Sequence, residues 1–244
     1  LLQHITYEGQ LSLKTQKVKD VIERIGHQNP NLVKPALGPK EPWAYRNKMQ
    51  MPVGGARGDI QMGFYAMGSH DIVQGTNCPI QDEGNNIIAQ VCYDIAKELD
   101  VEPYDEHTGK GVLRHVIGRI GQSGWMVILV TATDYLLHQE QWIEKLTERI
   151  PQVETIVHNV NGKRTNVILG PKNNILYGDG TITDHIKDLR FTLSPHSFFQ
   201  VNPEQTTVLY DQALAYADLK GDETVIDAYC GTGTISLFLA HKAK

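Results

Sequence analysis

Ten residues near the end of the chain, Val225-Ile-Asp-Ala-Tyr-Cys-Gly-Thr-Gly-Thr234, join a short apolar run to a carboxylate and a glycine-rich turn. Val225 and Ile226 read as a buried parallel strand, and Ile235, Leu237, Phe238 and Leu239 as the helix that follows it. Gly231 and Gly233 let the backbone turn sharply and approach a ligand with no Cβ in the way. Asp227 is placed to order that turn by accepting backbone N–H groups. The spacing is not G-x-G-x-x-G, and the turn lacks the Lys and Ser/Thr of a P-loop. A ligand with an adenosine and no phosphate therefore fits better than a dinucleotide or a triphosphate. Tyr229 points toward whatever fills the crevice at the strand's carboxyl end. Cys230 is either a nucleophile or a structural part of the turn, and its place inside the glycine loop favours the second. The alternative for the whole stretch is a tight βα turn that binds nothing.

A second group of chemical side chains lies just upstream, in Ser194-Pro-His-Ser-Phe-Phe-Gln-Val-Asn-Pro203, followed by an amphipathic run from Thr206 to Ala217. The order and separation of the two motifs resemble the start of the methyltransferase domain in the RNA uridine-5-methyltransferases, the 23S rRNA and tRNA class, which carry S-F-x-Q-x-N, a helix and then D-x-x-C-G-x-G. Within that family the likeness is to the Gram-positive 23S rRNA type, from Leu1 to Lys244. The resemblance implies S-adenosylmethionine as cofactor, held by Gln200, Tyr229, Gly231, Gly233 and Thr234, the last sitting where some members use Asn. Gln200 has a donor and an acceptor for the amino-acid end of that molecule. Phe198 could stack on a flipped-out uridine, or it and Phe199 could both fill the core. His196 lies where relatives often carry Arg.

Methylating carbon 5 of uracil requires a thiolate to add at carbon 6, because carbon 5 is otherwise barely reactive. A base must later remove the proton at carbon 5. In the family both groups lie far beyond the glycine loop, so no catalytic residue is expected up to Lys244 and no turnover is expected from these residues alone. The family also implies an iron–sulfur cluster in many members, with the fourth ligand at the position of Cys78. Its three companions would precede Leu1, so no intact cluster is expected here. Competing readings are a tRNA uridine-5-methyltransferase and a non-catalytic RNA-binding module.

Composition is that of a soluble globular protein: 244 residues, 41% apolar and 21% charged. No apolar run is long enough to span a bilayer, and the first residues show neither a basic region nor a cleavage site, so a cytoplasmic protein with no membrane partner is expected. The net charge of -5 argues against nucleic acid in bulk. Its distribution does not. Lys34, Lys40, Arg46 and Lys48 face one acid between positions 34 and 48, and Lys110, Arg114 and Arg119 face none between 107 and 119. Arg46, Lys48, Arg114 and His115 are the expected RNA contacts beside Phe198, with 23S rRNA as partner and no DNA. Three widely spaced cysteines, Cys78, Cys92 and Cys230, imply no disulfide framework.

The elements that must position these residues follow from periodicity. Residues 7–26 read as an amphipathic helix, forming with its flanks a segment 1–28 expected to pack on the methyltransferase domain, or else serving as a core helix of the central domain. Four prolines between Pro30 and Pro42 give an extended connector. Residues 43–52 alternate as a strand, which would put Arg46 and Lys48 on one face. Residues 54–58 read as a turn and 60–67 as the returning strand. Helix 82–99, strands 112–120 and 125–132, helix 138–150 and strand 153–160 then give an α-β-β-α-β order. Residues 166–184 read as a hairpin with turns at Pro171–Asn174 and Gly178–Gly180, and 189–193 as a strand. The fold class is thus α/β and α+β: a central α+β RNA-binding domain at 29–193, then the start of a Rossmann-like methyltransferase domain at 194–244.

Overall fold

The computed structural model describes residues 2–244. The chain divides into two units, one ending at Trp43 and the other beginning at Ala44. In the first, α1 (Tyr7–Arg24) begins where the Thr6 hydroxyl accepts the Gly9 N–H at 3.2 Å and ends just before Gly26, as the periodicity indicates. No residue of α1 is buried. One 3-10 turn at Pro30–Leu32 leads into the proline-rich extended stretch, where the Ala36 N–H donates to the Thr15 hydroxyl at 2.9 Å.

The second unit is built on a seven-stranded sheet. Its strands are β1 (Lys48–Ala56), β2 (Asp59–Tyr65), β3 (Ile72–Gln74), β4 (Leu113–Ile120), β5 (Trp125–Thr131), β6 (Val153–Val160) and β7 (Lys172–Tyr177). They lie in the order β3-β2-β1-β4-β5-β6-β7. Neighbours are antiparallel except β5 and β6, whose parallel pairing needs a crossover that α3 (Gln139–Arg149) supplies. The other long connection carries α2 (Glu83–Glu98), capped by Asp82, whose carboxylate accepts the Gly84 N–H at 2.8 Å. The α-β-β-α-β order from α2 to β6 is the one the periodicity indicates.

Both faces of the sheet are covered, which is why β5 reads as an unbroken apolar run. On one face, Met49, Met51, Val116 and Leu129 pack under Ile88 and Cys92 of α2 and Trp142 and Leu146 of α3. On the other, Ile117, Met126, Ile128 and Val157 pack under the hairpin β8 (Ile182–Ile186) and β9 (Leu189–Leu193). Phe199, Tyr210 of α4 (Pro203–Ala217) and Phe238 of α5 (Thr234–Ala240) complete that second core. Among the described residues, no helix is long and apolar enough to cross a membrane.

Four local expectations are overturned. The strand expected from Trp43 starts at Lys48, and Arg46 makes only an isolated bridge to Gln81. Gly54 and Gly55 belong to β1, and the turn is the two residues Arg57-Gly58. Lys172–Tyr177 is an edge strand paired with β6 rather than a turn, so the hairpin in this region is β8–β9. Val225 and Ile226 form no strand: Ile226 is 86% exposed. A strand needs neighbours for its N–H and C=O groups, and none of the described strands pairs with these residues.

Candidate functional site

The glycine turn takes its shape from local bonds. The Asp227 carboxylate accepts the Ser236 hydroxyl at 2.6 Å and the Tyr229 N–H at 3.3 Å, while the Gly233 N–H donates to the Cys230 carbonyl at 2.8 Å. Gly231 and Gly233 have φ of +56° and +74°, a region costly for residues with a Cβ. A Cβ built at either would meet nothing within 4 Å, so the space above the turn is open. Asp227 thus does what its position suggested. Tyr229 is 97% exposed, and the Thr234 hydroxyl is held at 2.7 Å by that of Tyr210.

The upstream motif folds into a lead-in to α4. Ser194 and Ser197 close a tight loop through their backbone and hydroxyls, and Asn202 caps α4 by accepting the Gln205 N–H at 3.0 Å. Two adjacent phenylalanines then part company. Phe199 is buried with its ring 5.5 Å from that of Phe191, whereas Phe198 is 69% exposed. Gln200 is half-buried beside them. The Thr232 hydroxyl donates to the Phe198 carbonyl at 3.3 Å, so the two motifs, 34 residues apart, meet in space. The Asn47 N–H donates to the Val201 carbonyl at 2.9 Å, which ties the same segment to the start of β1.

The expected RNA contacts separate into two groups. Arg46 and Lys48 stay together, the Arg46 Nε donating to the Lys48 carbonyl at 3.0 Å. Lys48 lies directly across from Arg119 in the β1–β4 ladder. Burial, then the charges of Arg119 and Arg46, bring its ammonium down to about 8. Arg114 and His115 sit at the other end of β4, beside its bulge, and are buried. The Arg114 guanidinium donates to the carbonyls of Asn161 and Lys163 and lies 4.5 Å over the Tyr104 ring. Burial and then Arg114 hold His115 down at about 4, the opposing pull of Glu106 being smaller. His115 is therefore a neutral buried ring near neutral pH, and neither side chain is presented to a partner.

Sequence reasoning missed two features. Arg119 was no more than one charge in a basic stretch, although the period of two from Ile117 places it on the face of the second core. Tyr65, His70 and Glu106 line a groove of about 300 Å³: the Tyr65 hydroxyl donates to Glu106 at 3.1 Å, and His70 pairs with the same carboxylate. Nothing in the spacing announces that meeting, since Glu106 lies 41 residues from Tyr65 and 36 from His70.

As to a metal, Cys78 sits in its turn with its N–H on the Asn86 side chain at 3.0 Å, and no group of three His, Cys, Asp or Glu able to hold an ion is found among the described residues. One thiolate cannot ligate a cluster, so the residues present do not fit one. The space over Gly231 and Gly233 is open, and Gln200 and Tyr229 lie on the two segments that the Thr232–Phe198 contact joins.

No family model matches the chain. Over its whole length it is 50% identical to proteins of Halalkalibacterium halodurans and Bacillus cereus and 48% identical to one of Clostridium tetani, each named an uncharacterized RNA methyltransferase. The chain spans about half the length of these relatives, 54%, 53% and 53%. Among solved structures, a Pyrococcus abyssi tRNA (uracil-54, C5)-methyltransferase in complex with S-adenosyl-L-homocysteine matches with a TM-score of 0.77 at 23% identity. That match covers 98% of this chain and 55% of the other, and shows a shared fold.

Proposed function

We propose, for a chain that belongs to the family of these RNA methyltransferases, that the protein carrying it methylates carbon 5 of uridine in 23S rRNA in the cytoplasm, using S-adenosylmethionine. The observation that carries this reading is the contact between Thr232 and Phe198, which joins the glycine turn to the Ser194–Asn202 segment. S-adenosylmethionine, when bound, supplies a methyl group on a positively charged sulfur. The chain's own residues bind and orient. Gly231 and Gly233 leave room for the adenosine, Tyr229 covers it, Gln200 takes the amino-acid end, and Thr234 lends a hydroxyl already fixed by Tyr210. Phe198, exposed beside that space, offers its ring to the target base. Arg46 and Lys48 take the backbone.

The nucleophile and the base are not assigned to this chain. Cys92 is fully buried, with its thiol pushed far above the ordinary range by desolvation, and Cys78 stands in a turn with its N–H on the Asn86 side chain. Cys230 belongs to the glycine turn. The 244 residues alone are therefore proposed to bind without turning over. The solved neighbour's name favours a second reading, in which tRNA replaces rRNA as the substrate.

Band-shift titration against 23S rRNA segments, tRNA and DNA of matched sequence tests the substrate, alongside incubation with methyl-tritiated S-adenosylmethionine. The proposal expects rRNA to bind most tightly, DNA least, and no tritium to enter RNA. Preference for tRNA transfers the assignment to the second reading. Labelled RNA would show that the nucleophile lies within these residues, with Cys230 the candidate.

A further inference from the structure

Three cations converge where β1 and β4 meet the Ser194–Asn202 segment, and none of them has a carboxylate. Lys48 and Arg119 are cross-strand partners, and Arg46 bonds the Lys48 carbonyl. None of the three takes part in any of the ion pairs formed among the described residues. Arg119 is only 4% exposed, with its Nε buried and unpartnered, while its Nη2 donates to the Ser197 carbonyl. Asp184 on β8 reaches this edge through Asn47 at 3.4 Å and through no cation. Partly buried charge with no counter-charge is expensive, and like charges two strands wide repel. An arrangement of this kind is stable enough to persist in a working protein when an anion completes it.

Resting on the reading that the chain binds RNA, we propose that Arg46, Lys48 and Arg119 form one seat for a single backbone phosphodiester, fastened to the loop that carries Phe198. Arg46 and Lys48, both half-buried, make the contacts. Arg119 is a positioning residue: it charges the seat from below and holds Ser197, next in sequence to the exposed ring. The space between Lys48, Arg119 and Phe199 is about 10 Å³, room for one water, so Arg119 acts through Lys48 and that loop and not by touching the strand. Seating a phosphate here sets where the neighbouring base meets Phe198. The depressed Lys48 ammonium agrees, since an arriving anion would raise it again. The charged groups facing Lys48 are Arg46 just before its strand, Arg119 on β4 and, behind Asn47, Asp184 on β8.

The test uses the whole chain, an oligouridylate as the RNA probe and inorganic phosphate as the small-anion probe, with binding measured against salt and pH. Lys48→Met should weaken oligouridylate binding about tenfold and lower the slope of log K against log salt by about 0.7, the loss of one phosphate contact. The same variant should melt at a higher temperature, because it removes a repelled cation; a merely structural lysine would give the opposite shift. Lys48→Arg should keep the affinity and abolish its decline between pH 7 and 9, since Arg does not titrate there. Arg119→Lys should keep the slope while loosening the Phe198 loop, read as lost quenching of a fluorescent base in the probe. A wild-type slope in Lys48→Met, with RNA still bound, would overturn the seat and leave the RNA reading standing. Phosphate raising the melting point of wild type but not of Lys48→Met, with no oligouridylate bound, would keep an anion seat and end the RNA reading. Failure of both probes would end both.

Discussion

The two ends of β4 each bury an arginine, and they do so in opposite ways. Arg114 spends its guanidinium on two carbonyls and an aromatic face, all supplied by the chain. Arg119, five residues on, keeps one carbonyl contact and a lysine for a neighbour, and the Nε of each arginine is buried without a partner. Residue type and burial are the same, so neither distinguishes structure from function here. The partners do. A cation that spends its guanidinium on two carbonyls and an aromatic ring of the chain holds the fold together, and one set among other cations is waiting for something outside the fold.

Substitution at the satisfied end should have the largest effect. Arg114→Ala strands the Asn161 and Lys163 carbonyls in a buried setting and should lower unfolding stability by about 3 kcal/mol in denaturant titration. The salt dependence of RNA binding should stay as in wild type. A drop in that slope without a loss of stability would erase the contrast between the two arginines.

Acid should act through the same end. His115 has its folded value below the unfolded one, about 4 against 6.5, so the unfolded chain binds the proton more readily between those values. The stability it contributes is complete above pH 6.5 and is lost as pH falls toward 4, at most about 3 kcal/mol for a shift of this size. Unfolding curves at pH 4 to 7 for wild type and His115→Asn should differ in slope over that window. Parallel curves would mean that His115 is solvated.

At the unsatisfied end the sign is the same, but the window moves to alkaline pH and the size shrinks. Lys48 also titrates below its ordinary value, so stability should rise as pH climbs from 8 to 10.5, where the folded lysine has lost a proton that the unfolded one still holds. Because the group is half solvated, the gain is about 1 kcal/mol. Lys48→Met should flatten this rise. A variant less stable than wild type at pH 7 would place Lys48 with Arg114 among structural cations.

How much of this was readable beforehand depends on whether the signal was local. The helix ending at Gly26, the α-β-β-α-β order and the role of Asp227 were legible, because caps, periodicity and turn chemistry reside in neighbouring residues. Lys172–Tyr177 was not, since Lys-Asn-Asn carries little strand propensity and pairing with β6 overrides it. Val225 and Ile226 spelled a strand by composition, yet a strand is a property of its neighbours. Arg114 and Arg119 looked alike because what separates them is the register of β4 against β1 and a bulge near residue 114, both tertiary facts. Within the proposed site, Gln200 and the glycines rest on the motif, while Arg119 needed the fold.

The central claim is that the Ser194–Asn202 segment and the glycine turn share one crevice for a sulfonium nucleoside. Titrating isotopically labelled chain with S-adenosylhomocysteine and following backbone amides by nuclear magnetic resonance tests it most directly. The shifts should gather at Gln200, Tyr229, Gly231, Gly233 and Thr234, with Phe198 beside them. Amides that stay still there, or that move instead around the Tyr65, His70 and Glu106 groove, would contradict it.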